Sequence, residues 1–202
     1  MSVDHLNRGT LGDAPAPCRN CMWWQTRPGM RAGDRDRWTL DAEESFGTWG
    51  KVYLDDGRVT GLIQYGPAEA FPRAQTMPAG PPSGDAALIT CAFLTDARSP
   101  WVLQSLVLAA IGECKGRGFP AMEAFCHRYQ AGQPMQARMV NHRTIFPIEL
   151  MHDFGFQTHR QVGRIELVRL DLRGLVPAEE ASVLQRIKER LAVVNPAPAS
   201  VR

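Results

Sequence analysis

Four groups of residues have types and spacings that could do chemistry. Glu123 and His127 fall in the segment AMEAFCHRY (121–129), which reads as a strand. Period-two alternation puts Glu123, Phe125 and His127 on one face and Met122, Ala124 and Cys126 on the other. By type, Glu123 and His127 are the plausible general bases, histidine being poised near neutral pH. Their plainer role is a strand-end polar pair in solvent or a core hydrogen bond. Cys126 has the chemistry of a nucleophile, but no triad partner accompanies it. Cys18-x-x-Cys21 has the spacing of half a zinc site. Cys91, Cys114, Cys126, His127 and His142 supply no matching second pair, so no metal is assigned and the two thiols read as small side chains at a strand start. Last, the turn 95–98 joins an apolar run at 86–94 to a helical pattern opened by Ser99-Pro100. A strand feeding a helix N-terminus is a place for phosphate, because free amides and the helix dipole point there. Arg138, His142 and Arg143 form a basic loop that reads either as an anion contact or as a solvated segment.

The elements that must position these residues follow from pattern. The run 86–94, with Ile89, Thr90 and Phe93, suits a buried strand. From Trp101, the apolar residues Leu103, Leu106, Val107, Ala110, Ile111 and Cys114 recur at helical spacing, and Gly116 and Gly118 supply the stop. Upstream, residues 1–17 read as a flexible leader. CRNCMWW begins a strand with two adjacent tryptophans facing opposite sides, and 34–46 reads as a helix. Residues 51–65 form a hairpin about Asp56-Gly57, with Gly61 marking a bulge or a close backbone approach. The segment 66–84 holds five prolines and three glycines and reads as a long loop, either a substrate wall or a plain surface excursion. Downstream, 130–144 is loop and 145–154 a short helix capped by Gly155. Residues 157–172 are one long strand or a pair, with a bulge expected near Val168-Arg169. An amphipathic helix over 177–194 packs on the domain or a partner, and 195–202 is tail. The expected organisation is therefore a leader to 17, one domain over 18–174, a C-terminal helix within 175–194, and the tail.

Bulk properties narrow the function class. A formal charge of +2 is too small to imply nucleic acid or an anionic membrane as partner. No apolar span of bilayer length occurs, and the first residues lack the apolar core of a secretion signal. Five cysteines, an odd number without such a signal, point to reduced thiols in the cytoplasm.

In their order, KVYLDDGRVTGLIQYG, FLTDARSPWVLQSLVLAAIGECKGRG and LMHDFGF resemble the hairpin, the cofactor strand–turn–helix and the closing helix of the GNAT superfamily of N-acetyltransferases. CRNCMWW and PPSGDAALIT further resemble an actinobacterial-type subgroup of it. The resemblance spans roughly 18–172. It implies an α/β (α+β) fold: a mixed, mostly antiparallel central sheet with a splayed parallel strand pair and flanking helices. It also implies acetyl-CoA as cosubstrate, direct transfer to a small-molecule or protein amine, and a monomer or homodimer.

The family's turn, Gln/Arg-x-x-Gly-x-Gly/Ala, falls on Arg98-Ser99-Pro100-Trp101-Val102-Leu103. Phe93, Leu94, Arg98, Ser99, Trp101, Val102 and Leu103 are then the cofactor residues the resemblance implies. Both small positions have become Trp101 and Leu103, and Pro100 removes an amide. In many relatives a tyrosine on the late helix protonates the leaving thiolate; Met151 stands at that position and donates nothing. The alternative implied is a binding or regulatory module whose cofactor turn is filled by Trp101.

Overall fold

The structure is a computed structural model that describes residues 1–29, 33–96, 99–129, 132 and 144–175. In chain order its elements are β1 (Ser2–His5), α1 (Arg8–Leu11), α2 (Ala16–Arg19), α3 (Arg35–Phe46), β2 (Gly50–Asp55), β3 (Arg58–Pro67) and β4 (Ala86–Leu94). They continue as α4 (Pro100–Gly116), β5 (Ala121–His127), β6 (Phe146–Pro147), α5 (Ile148–Asp153), β7 (Gln157–Val162) and β8 (Ile165–Asp171). The strands join in one sheet of order β1-β2-β3-β4-β5-β8-β7, with β6 paired to β5. β5 runs parallel to β4 and β6, and every other neighbouring pair is antiparallel.

Local chemistry explains the main pieces. Asp56 and Gly57 both take positive φ, 47° and 73°, as the tightest hairpin turns require. Asp34 caps α3 by accepting from the amides of Asp36 and Arg37 at 3.0 and 3.1 Å. Gly61 is the close approach expected of it: a Cβ there would lie 2.6 Å from Val102 Cγ1, so the bare backbone lets α4 settle on β3. On that face Val102, Leu103, Leu106, Val107 and Ala110 bury against Tyr53, Ile63, Ile89, Met122 and Val168. The opposite face is covered by Trp24, Phe71, Ala74 and Ala79 over Leu88, Phe125 and Leu167.

Several expectations change. The flexible leader is ordered: β1 pairs with β2, from Ser2 opposite Leu54 to His5 opposite Lys51, and Leu6 and Ala14 are buried. Two apolar side chains and a capping box between Asn7 and Thr10 suffice to dock it. CRNCMWW is no strand; α2 ends at Arg19, and Trp24 instead lies flat on Phe125, 5.8 Å between centroids at 21°. The segment 157–172 is a strand pair turned at Gly163, φ 62°. β8 keeps unbroken register against β5, so no bulge occurs at Val168-Arg169. Both of its parities are apolar because both faces are covered, by Leu167 on one side and Val168 and Leu170 on the other. The register shift falls instead between Thr158 and Arg160 of β7. The late helix is shorter than 145–154, since Phe146 and Pro147 pair with Cys126 and His127 before α5 begins. The loop 66–84 is a built wall with two 3₁₀ turns, Ala68–Ala70 and Pro72–Thr76. Its far end is held by Arg160, which donates to the carbonyls of Ala79 and Pro81 at 3.0 Å each. The helix expected at 177–194, the tail at 195–202 and the basic loop residues Arg138, His142 and Arg143 lie outside the described residues.

Candidate functional site

The parallel pair at the centre of the sheet comes apart. β4 and β5 are paired only from Ala86 opposite Ala121 to Ile89 opposite Ala124. β4 continues to Leu94 against β3, whereas the end of β5 takes β6 as its neighbour on that side. The β4 edge from Thr90 to Leu94 therefore parts from β5 and faces a cleft, a backbone edge to which an extended ligand can add. α4 begins just beyond it.

Beside this edge, on the face away from α4, lies a cavity of about 180 Å³. Its floor includes Leu62 and Gln64 of β3 and Cys91 and Phe93 of β4; Cys18, Cys21, Trp24 and Arg35 stand around it. Gln64 is the polar centre of the floor. Its Oε1 accepts from Gln25 Nε2 at 3.1 Å and Thr90 Oγ1 at 3.2 Å, with Cys91 Sγ at 3.7 Å. Burial pushes the Cys91 thiol up to about 12, so it stays protonated and is no nucleophile. Arg35 brings the positive charge. Its guanidinium stacks 5.2 Å from the Trp38 ring centroid and 4.8 Å from that of Trp49. Its Nη1 donates to the Cys21 carbonyl at 3.0 Å. Burial lowers its pKa, and the nearby thiols of Cys91, Cys21 and Cys18 partly offset that. No group of three metal-ligating side chains gathers here or elsewhere among the described residues.

No protein-family model matches the sequence, and no curated protein is significantly similar to it. Solved structures do match. One is yncA from Salmonella typhimurium with its cofactor acetyl-CoA, at 16% identity and TM-score 0.53, over 89% of this chain and 98% of that one. Another is an aminoglycoside 6'-N-acetyltransferase complexed with coenzyme A, at 10% identity and TM-score 0.53, over 89% and 100%. A third is an N-acetyltransferase from Staphylococcus aureus Mu50, at 14% identity and TM-score 0.51, over 85% and 98%. The fold is the GNAT fold. At these identities the likeness speaks for architecture: an open, mostly antiparallel eight-stranded sheet with a parted parallel pair and flanking helices.

Within the GNAT fold the sequence-predicted residues separate into three sets. Phe93 and Leu94 lie on the parted edge, and Phe93 lines the cavity. At the start of α4, Val102 and Leu103 send their side chains into the core, while Trp101 is 49% exposed. Ser99 occupies the N-cap position without a side-chain cap bond. Its N–H donates to the Asp96 carbonyl at 3.2 Å, and Val102 N–H to the Ser99 carbonyl at 3.1 Å. Arg98 lies outside the described residues.

Glu123 and His127 line no part of the cavity. Glu123 is fully buried and both its oxygens are engaged, by Ser83 N–H at 2.8 Å, Ser83 Oγ at 2.6 Å and Arg169 Nη1 at 2.9 Å. His127 ends β5 with its ring 4.6 Å from that of Tyr129. Burial raises the Cys126 thiol well above its usual range, and Met151 is fully buried. The residues that do gather at the cavity, Arg35, Gln64, Cys91 and Trp24, were not singled out as site residues from sequence. Gln64 carried a readable signal, a lone polar residue inside the apolar strand GLIQYG. Arg35 carried none, since an arginine in the first turn of a helix is ordinarily solvated.

Proposed function

We propose that the chain is an acetyl-CoA-dependent N-acetyltransferase acting on an amine by direct transfer. The observation that carries this is the coincidence of the parted β4 edge with a cavity floored by Cys91 and Phe93 of that same strand. Two fold neighbours, crystallised with acetyl-CoA or coenzyme A, support the choice of donor. Acetyl-CoA supplies a thioester carbonyl: the amine nitrogen forms the new C–N bond as the C–S bond breaks, and the amine's proton balances the departing thiolate. Phe93 and Leu94 would flank the donor along the parted edge, while the cavity holds the acceptor. Much of the rate would come from alignment of the two, because holding reactants in line can supply several kcal/mol.

A second reading, a binding or regulatory module of the same fold, is favoured by one observation. Pro100 has no N–H, and the amides of Ser99 and Val102 are already bonded to carbonyls of their own turn, which thins the phosphate cradle. Calorimetric titration with acetyl-CoA separates the two. The enzyme reading expects one site per chain and thiol release on adding an amine. Absence of binding at about millimolar donor, corresponding to roughly 4 kcal/mol of affinity, would sink it. Trp101→Gly, which restores a small residue beside the turn, is expected to tighten donor binding.

A further inference from the structure

The cavity holds a charge balance that the transfer reading alone leaves unexplained. Arg35 stands at an apolar wall, and no ion pair among the described residues includes it. Its Nε is buried with no hydrogen-bond partner, and so is the Nε1 of Trp24, which lines the same cavity. Two orphaned N–H donors and one uncompensated cation therefore meet in one small space, whereas buried donors and charges are ordinarily satisfied. The acceptors nearby are already spoken for: Gln64 Oε1 takes Gln25 and Thr90. The missing group is an acceptor carrying negative charge.

We propose that the cavity binds its acceptor through a carboxylate: a small amine bearing one carboxylate on an apolar body, with Arg35 as the anion anchor and Trp24 N–H as a second donor. A carboxylate has only acceptor sites and can take a guanidinium edge and an indole N–H together. Charge selects it over a phosphate dianion, for which one guanidinium among apolar side chains is too little compensation. Size agrees, since about 180 Å³ is below the roughly 300–1,000 Å³ of drug-sized pockets. The two indoles against Arg35 hold the guanidinium in place without neutralising it, so it is oriented for an incoming anion.

The amine in this inference rests on the transferase reading; the carboxylate rests on the cavity alone, and the experiment keeps them apart. Calorimetry is run with 4-methylpentanoate, L-leucine and L-leucinamide on the full chain, and acetyl-CoA is titrated separately. The expectation is that both acids bind at least about tenfold more tightly than the amide, which cannot place a negative charge on Arg35. Arg35→Met is expected to abolish that preference, and Arg35→Lys to restore only part of it. Equal binding of L-leucine and L-leucinamide, or no acid binding at about 10 mM, overturns the proposal. The acid-to-amide ratio of the unmodified chain decides the matter even where Arg35→Met fails to fold. Acid preference without acetyl-CoA binding supports the carboxylate site and overturns the transferase reading. Acetyl-CoA binding without acid preference does the reverse.

Discussion

Glu123 offers the sharpest test of how the site is built, because by residue type it is a candidate base and by geometry it is a clamp. The perturbation is Glu123→Ala. The carboxylate is fully buried and ties three strands of the argument together: β5, which carries it; Ser83, at the end of the wall 66–84; and Arg169 of β8. Breaking a buried ion pair ordinarily costs about 3–5 kcal/mol. The lower end applies, since Arg169 keeps Asp85 through bonds of 3.1 and 2.8 Å. A loss of about 3 kcal/mol should lower the Tm by about 6–12 °C for a chain of this size. Glu123→Gln retains an acceptor for Ser83 and should lose about half as much. Thermal unfolding followed by circular dichroism reads both. A general base would behave otherwise, with Glu123→Gln losing roughly 10²–10⁴ in rate at unchanged Tm. A Tm within about 1 °C of the parent for Glu123→Ala refutes the clamp, since even a weak buried bond is worth about that much.

Gly61→Ala should destabilise by about 1–3 kcal/mol, because the added Cβ would meet Val102 Cγ1 at 2.6 Å; a urea midpoint that falls at constant m reads it. At Glu113, burial pushes the carboxyl up, but hydrogen bonds from Lys51 and Thr48 and the charges of Lys51 and Arg117 win and hold it at about 2. Its contribution is therefore present above the ordinary carboxylate range and lost as pH falls from about 4.5 toward 2; Glu113→Gln should flatten that limb of the urea midpoint against pH. Burial pushes the thiols of Cys91 and Cys114 up to about 12, whereas Cys21 is exposed. Iodoacetamide at pH 8 should thus label Cys21 well before either in the folded chain, as peptide mass spectrometry would show, and equal labelling would contradict their burial.

What was legible in the sequence was whatever local physics decides alone. The Asp56-Gly57 turn, the Asp34 cap, the strand at 86–94 and the helix after Pro100 each follow from residues within a few positions of one another, and they stand where the pattern put them. The N-terminal residues did not, because β1 has no apolar alternation of its own and is held by pairing with β2, some 48 positions away in register. The tryptophans of CRNCMWW misled for a related reason: Trp24 is placed by Phe125 and Trp23 by edge contact with Trp24, neither of which a strand template contains. β8 read as bulged because both its faces are covered, and alternation carries no information on a strand buried from both sides.

The site was less legible than the fold because it is made of absences and coincidences rather than of a motif. Its cavity exists where β4 leaves β5, and its charge matters because Arg35 meets no carboxylate there. That arrangement also bears on how an amine could react without a dedicated base, since Glu123 is committed to Arg169 and Cys91 stays protonated. Apolar walls disfavour an ammonium ion, and so does a guanidinium nearby; both lower the pKa of a bound amine. A carboxylate on the same molecule neutralises Arg35 and secures binding, while desolvation favours the uncharged amine that attacks. One buried cation in an apolar pocket can thus supply affinity through the acid end of its ligand and leave reactivity to the walls, a division of labour that asks for no catalytic side chain beyond those already in place.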